Sequence, residues 1–111
     1  ASGVDVPAER DPGHVYHLFV VRAVRSARLP PDQSARTDLQ ASLASCGIQT
    51  LIHYPVPIPR QPALAGMQPA DCPVAASACD EVLSLPLYPG LTEADVDMIA
   101  ASVQSGSAYT D

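Results

Sequence analysis

The residues best suited to binding a ligand are His53, Tyr54 and Arg60. Two of them end a strand-like run at residues 48–54 (IQTLIHY), and the third lies in the segment that follows. That segment places four prolines within eight residues, at Pro55, Pro57, Pro59 and Pro62. Because irregular backbone after a strand is where functional side chains are often displayed, the pattern indicates a stiff loop that holds polar groups for binding.

The three residues differ in how strongly their chemistry favours a role in ligand binding. A guanidinium on a rigid loop loses less entropy on binding, which makes Arg60 a good candidate despite its isolation. A structural role for His53 stays equally open at this point. Tyr54 could simply cover the core with its ring and leave its hydroxyl in water.

Other polar groups do not combine into a metal site. His14 and His17 are three positions apart on a predicted strand, so their side chains point to opposite faces. Cys72 and Cys79 have no companion set of histidines or cysteines, and we interpret them as small buried thiols. No nucleophile and base stand at a recognisable spacing, so we assign no catalytic residue to this chain.

The charged residues restrict the classes of partner. Twelve acidic and six basic residues give a net charge of −6, which argues against nucleic acid and against an anionic membrane surface. All six basic residues are arginines, and the 111 residues contain no lysine. Three of the arginines, Arg22, Arg25 and Arg28, form a loose basic group at the end of the first predicted strand, either as a solvated strand end or as an anion contact.

The length of the chain predicts one domain with a core of Val, Leu, Ile and Ala. Its three cysteines form no CxxC pair, and no stretch resembles a signal peptide, so we predict a cytoplasmic protein. No apolar run approaches the roughly 20 residues of a membrane span.

The first half of the chain predicts one strand and one helix. Residues 1–13 have two prolines, two glycines and no apolar period, which is typical of a linker. Residues 14–24 (HVYHLFVVRAV) predict a strand covered on both faces. A helix should follow, with Asp32 as its N-cap, Gly47 after its end, and a buried stripe of Ala35, Leu39, Leu43 and Cys46.

The second half predicts two further strands and two helices. Residues 48–54 and 82–85 are the strands, and Pro73 begins a short helix between them. Thr92 and Asp95 form a capping box for the last helix, where Leu91 can staple to Val96. Its acidic first turn is a solvated helix start, and its buried stripe consists of Val96, Ile99, Ala100 and Val103.

This order predicts an α+β fold, a two-layer sandwich in which a small, mainly antiparallel three-stranded sheet carries helices on one face. The second face of that sheet is not conspicuously polar, which indicates that something else covers it. We place the domain at residues 14–104, between the linker and a C-terminal tail at residues 105–111.

Three ordered motifs together resemble one family. They are YHLFVVR at residues 16–22, GIQTLIHYPVPIPRQPAL at 47–64, and CPVAASACDEVLSLPLYPGLTEADVDMI at 72–99. The chain is similar over about residues 14–104 to the C-terminal small domain of the DegT/DnrJ/EryC1/StrS sugar aminotransferases. Those enzymes use pyridoxal phosphate (PLP) to transfer an amino group to keto groups on nucleotide-linked sugars.

The resemblance implies a division of labour between two domains. In the family, a large N-terminal domain holds the cofactor lysine and most of the phosphate contacts, so this chain alone should bind no cofactor. The loop equivalent to residues 53–61 approaches the active site, which implies substrate contacts for His53 and Tyr54, with Arg60 behind them. Many relatives have a histidine in place of Pro59 and a tyrosine in place of Leu64, so contacts of those two side chains do not carry over.

We therefore expect an isolated fragment, a truncated product or an expressed piece of such an enzyme, without transaminase activity of its own. It would close the pocket and select a nucleotide sugar. A rival hypothesis is a stand-alone binding or assembly module that kept the fold and associates into a homodimer or larger assembly. A third is complementation, in which a separate chain supplies the large catalytic domain.

Overall fold

The structure is a computed structural model, and it describes residues 3–24, 30–67 and 71–107. Within these residues three strands and three α-helices follow one another in a mixed order. They are β1 (Val4–Asp5), β2 (Phe19–Ala23), α1 (Ala35–Ser45), α2 (Pro73–Glu81), β3 (Val82–Leu85) and α3 (Glu93–Ser107). None of the described helices is both long enough and apolar enough to cross a membrane.

The strands form one antiparallel sheet in the order β1-β2-β3. Val21 lies opposite Leu83 in the middle of the sheet, and both side chains are fully buried. Leu39 and Leu43 of α1 pack in the same core, which Ile99 of α3 completes. The predicted α+β fold with a three-stranded antiparallel sheet is confirmed.

Two strand predictions were wrong in their bounds. Residues 48–54 form no strand, because only Leu51 pairs with the sheet, in a single bridge to Ser84. The third strand is instead β1, inside the segment that we interpreted as a linker, and two residues are too short to show an alternating pattern. The strand predicted at residues 14–24 spans only β2, since Tyr16 has a left-handed backbone with φ of +47° that interrupts an extended chain.

The N-cap of helix α1 lies two residues later than predicted. Ser34, not Asp32, is the N-cap, and its hydroxyl accepts a hydrogen bond from the Thr37 N–H at 3.3 Å. Ala35, Leu39 and Leu43 are buried as predicted, but Cys46 is exposed because it lies past the last helical turn, at the C-cap.

The C-terminus of α1 is a Schellman motif built on Gly47. The Gly47 N–H donates to the Ala44 carbonyl at 3.0 Å, and the Ile48 N–H donates to the Leu43 carbonyl at 3.0 Å. Gly47 has φ of +77°, so the glycine predicted after this helix is confirmed. The motif turns the chain back so that Ile48, 4% exposed, enters the core.

The predicted capping box of α3 is confirmed. The Thr92 N–H donates to Asp95 Oδ2 at 3.0 Å, and the Asp95 N–H donates to Thr92 Oγ1 at 3.1 Å. The Thr92 hydroxyl also donates to that carboxylate, and the two hydrogen bonds that the carboxylate accepts from Thr92 lower the pKa of Asp95 from its ordinary value. The helix continues through Ser107, so the first three residues of the predicted tail are helical.

The stripe predicted to be buried on α3 is only partly buried. Ile99 is buried and Val103 is half-buried, whereas Val96 and Ala100 are exposed. The apolar side of α3 is therefore incompletely covered by the other described residues.

Gly47→Ala is expected to destabilise the protein by about 1 kcal/mol, because alanine resists the left-handed backbone that the turn requires. No atom lies within 4 Å of the added Cβ, so the cost is conformational and not steric. Chemical denaturation followed by circular dichroism measures it.

Gly66→Ala is the matched control. Its added Cβ also meets no atom within 4 Å, and its backbone is outside the left-handed region. This control should stay within about 0.5 kcal/mol of the wild type. Equal losses from the two variants would contradict the conformational explanation.

Candidate functional site

The candidate site begins at Leu51, where the segment after α1 pairs with Ser84 of the edge strand β3. The Leu51 N–H donates to the Ser84 carbonyl at 3.2 Å, and the Ser84 N–H donates to the Leu51 carbonyl at 2.7 Å. Since Ile48 is already anchored in the core, the four residues 48–51 run between two fixed points. His53, two residues further on, is thereby held close to the sheet.

His53 is fixed by its ring as well as by its backbone. Its Nδ1 lies 2.8 Å from the Ser84 hydroxyl oxygen, and the ring is half-buried. The Tyr54 ring meets it edge to face, with centroids 5.4 Å apart and planes at 82°. The peptide bond between the two residues is cis. Tyr54 itself is 69% exposed, so its hydroxyl is open to a ligand or to another part of the protein.

The proline loop, residues 55–67, holds its shape with local hydrogen bonds. It contains two single turns of 3₁₀-helix, Ile58–Arg60 and Pro62–Leu64. The Gln61 side chain donates to the Val56 carbonyl at 3.0 Å and ties the first turn to the start of the loop. The stiffness predicted from the four prolines therefore has a counterpart in the hydrogen bonding.

Arg60 stands apart from the other two predicted contacts. Its backbone N–H donates to the Pro57 carbonyl at 2.9 Å, and its side chain is exposed. Within residues 3–24, 30–67 and 71–107 the guanidinium has no hydrogen bond or ion pair. The structure thus brings His53 and Tyr54 together, and leaves Arg60 as a free cation on the same loop.

Other arginines are used structurally. Arg22 forms an ion pair with Glu81 and joins β2 to the end of α2, with Arg22 Nε 3.0 Å from the carboxylate. Arg36 donates to the Cys79 carbonyl and joins α1 to α2. The predicted basic group is not tested further, because Arg25 and Arg28 lie outside the described residues.

Metal binding finds no support in the part of the chain that the structure describes, which holds no group of three or more potential ligands. His14 Nδ1 accepts a hydrogen bond from the Tyr16 N–H at 3.1 Å. Cys46, Cys72 and Cys79 are free thiols. Cys72 is exposed and Cys79 half-buried, so the interpretation of Cys72 as a buried thiol was wrong.

Two grooves flank the end of β3. The His53 groove, about 480 Å³, lies between residues 47–53, the end of β3 and α3, and polar side chains contribute to it. These polar residues are Gln49, His53, Ser84, Tyr88 and Asp95. The apolar groove, about 610 Å³, lies between the sheet and α3 and is lined mainly by Val6, Val15, Phe19, Leu87, Val96 and Val103.

Ser84 and Tyr88 were missed as site residues by sequence reasoning. A serine in the middle of the apolar strand Val82–Leu85 was the available signal for the first, since such a position normally buries an apolar side chain. Tyr88 follows directly after Pro86 and Leu87 and gave no signal of its own.

Comparison with known proteins identifies the class. The chain belongs to the DegT/DnrJ/EryC1/StrS aminotransferase family, which it matches over residues 2–104.

Curated relatives are similar over most of this chain but only part of theirs. The erythromycin biosynthesis sensory transduction protein EryC1 of Saccharopolyspora erythraea is 40% identical over 94 residues, 83% of this chain and 23% of that protein. The dTDP-3-amino-3,6-dideoxy-alpha-D-galactopyranose transaminase of Aneurinibacillus thermoaerophilus is 37% identical over 84% of this chain and 23% of its own. The chain thus spans about a quarter of the length of these relatives.

Solved structures give the same proportion. DesV of Streptomyces venezuelae, in complex with a ketimine intermediate, superposes with a TM-score of 0.79 and 33% identity. The match covers 98% of this chain and 28% of DesV. A family aminotransferase from Brucella abortus gives a TM-score of 0.73 at 29% identity, over 93% of this chain and 26% of its own.

The residues of this chain alone do not form a binding site for PLP, the cofactor of the family. Covalent attachment of PLP requires a lysine amino group, and the sequence has none. Neither groove is lined by an arginine that would neutralise the phosphate of the cofactor. No step of cofactor chemistry is therefore assigned to the residues described here.

Proposed function

We propose that this chain is the C-terminal small domain of a nucleotide-sugar aminotransferase. Its proline loop forms the wall of the active site on the side of the sugar substrate, and the catalytic groups lie on another domain. The observation that carries the proposal is the anchored imidazole of His53, held by Ser84 at the rim of a groove where the rigid loop begins.

His53 and Tyr54 suit contacts to a sugar. The two rings are mutually packed, so they lose little conformational entropy when a ligand binds. A ring nitrogen and a phenolic hydroxyl both form directional hydrogen bonds with hydroxyl and carbonyl oxygens. The relatives include transaminases that act on a dTDP-linked and a UDP-linked sugar, which supports a nucleotide sugar as the substrate class.

Arg60 suits the anionic part of the same substrate. Its guanidinium is exposed, has no partner in the described part of the chain and sits on a loop stabilised by its own turns. Arginine binds phosphate oxygens through paired, charge-assisted hydrogen bonds. In a chain with a net charge of −6, such a local cation is needed to attract a nucleotide diphosphate.

The exposed side chains of the apolar groove are evidence that another domain packs against it. Val15 is 87% exposed and Val96 is 49% exposed beside the half-buried ring of Phe19, and apolar surface of this kind normally packs against another element. A large domain on the same chain, or on a separate one, would cover it. The three free cysteines support a reducing compartment, and we therefore propose that the complete enzyme is cytoplasmic.

In the complete protein, His53→Gln and Arg60→Gln are each expected to raise the KM for the nucleotide sugar on the order of tenfold, with kcat changed less than about twofold. The physical reason is that both side chains bind parts of the substrate that do not react. Steady-state kinetics with dTDP-linked and UDP-linked keto sugars measure both constants. The reading frame upstream of Ala1 shows whether the large domain is on the same chain or must be added as a second one.

Arg10→Gln is the matched control for charge. Arg10 is exposed in the segment before β2 and has no side-chain hydrogen bond among the described residues. It should leave KM unchanged. An unchanged KM in both loop variants would overturn the assignment of this loop to substrate binding.

The chain by itself is expected to form no covalent PLP adduct on any side chain, because it has no lysine. The protein is incubated with PLP, reduced with borohydride and mapped by mass spectrometry. An N-terminally acetylated sample removes the α-amino group, the remaining primary amine. A phosphopyridoxyl label on an internal residue, or transaminase activity of the isolated chain, would contradict the proposal.

A second candidate function, self-association as a stand-alone module, is favoured by the same apolar groove. If two copies cover each other's grooves, Val96→Asp should raise the dissociation constant of the dimer by at least about tenfold. Sedimentation equilibrium measures this shift.

Val74→Asp is the control, since Val74 is 78% exposed at the start of α2 and lies outside both grooves. A wild-type chain that stays monomeric at high concentration would remove the self-association candidate. It would leave the enzyme-domain proposal intact.

A further inference from the structure

Ser84 is an unusual residue for its position. It lies in the middle of β3 between Leu83 and Leu85, and only 5% of its surface is exposed. Among the described residues it is the one polar or charged residue that is buried. A hydroxyl removed from water costs free energy unless it is hydrogen-bonded, so its partner has a defined role.

All three polar groups of Ser84 bond to the segment that carries the candidate site. Its backbone N–H and carbonyl pair with Leu51, and its hydroxyl meets Nδ1 of His53 at 2.8 Å. One strand residue therefore fixes both the backbone before His53 and the ring itself.

The direction of the hydrogen bond between Ser84 and His53 follows from the partners that the Ser84 hydroxyl has. Within the residues that the structure describes, His53 Nδ1 is the one side-chain partner of Ser84 Oγ. If the serine accepted from Nδ1–H, its own proton would be buried without an acceptor, which costs more than leaving an oxygen lone pair unused. The serine therefore donates to an unprotonated Nδ1.

We propose that Ser84 is a positioning residue that locks neutral His53 as the Nε2–H tautomer. A neutral imidazole carries one proton, so occupation of Nδ1 as an acceptor places that proton on Nε2. Nε2 points away from Ser84 and has no partner among the described residues. His53 lines the groove, and an N–H at Nε2 would favour a hydroxyl, carbonyl or phosphate oxygen of a ligand over an ammonium group.

This inference rests on the proposed function only for the identity of the ligand. The tautomer itself is a property of the chain without any ligand, and it can be measured in the protein as it stands.

The test is nitrogen NMR of the protein labelled with ¹⁵N-histidine, at about pH 8.5, where exposed imidazoles are neutral. His53→Gln identifies the His53 signals. His17, which is exposed and has no hydrogen bond in the described residues, serves as the internal reference for a free imidazole. In the wild type, the Nδ1–H population of His53 should be at most about a tenth of that of His17.

Two variants separate the hydroxyl from the strand. Ser84→Ala should raise the Nδ1–H population of His53 to that of His17, whereas Ser84→Thr keeps the hydroxyl on a residue that suits a strand and should restore the wild-type value. Backbone amide signals of Leu51 and its neighbours report whether the bridge persists. If Ser84→Ala does not fold, the wild-type and Ser84→Thr spectra still decide the tautomer.

A wild-type His53 that carries its proton on Nδ1 would overturn the proposal. So would an unchanged tautomer ratio in a folded Ser84→Ala variant. In the complete protein, Ser84→Ala should raise KM for the nucleotide sugar toward that of His53→Gln, and Ser84→Thr should restore it. If the tautomer shifts as expected but KM does not, the role of Ser84 stands and the substrate role of His53 fails.

Discussion

The paired backbone hydrogen bonds between Leu51 and Ser84 are the constraint on which the candidate site depends. They convert a segment with no regular secondary structure into a fixed attachment at the edge of the sheet. Without them, the short run from Ile48 would be anchored at one end only, and His53 would move with the loop. A single bridge suffices because the Schellman turn at Gly47 and the buried Ile48 already determine where the segment starts.

Features decided by neighbours in sequence were predictable, and features decided across the sheet were not. The capping box at Thr92 and the glycine after α1 depend on residues a few positions apart, and both predictions are confirmed. The choice of Ser34 over Asp32 as cap was missed because both side chains can accept the same kind of bond. The contact between His53 and Ser84 joins residues 31 positions apart, and no local pattern encodes it.

The exposed apolar residues beside α3 and the absence of lysine both support the proposal that this domain functions together with another. A domain of this size can bury its apolar side chains on its own, yet Val96 and Val15 remain exposed beside a large groove. The chain also spans about a quarter of the length of its relatives. Exposed apolar surface and a missing lysine agree with the proposal that another domain covers this face and supplies the catalytic groups.

The anchors on either side of the candidate site also divide the chain into segments with different freedom to change length. Between Gly47 and Leu51 the backbone runs from a helix end to a sheet edge, so one inserted residue would rotate the bridge and carry the imidazole away from the serine. Beyond Gln61 the loop closes on itself through short turns, and extra residues there would extend into solvent at little cost. The part of the loop beyond Gln61 can therefore change in length between related proteins while the attachment of His53 to the sheet stays the same.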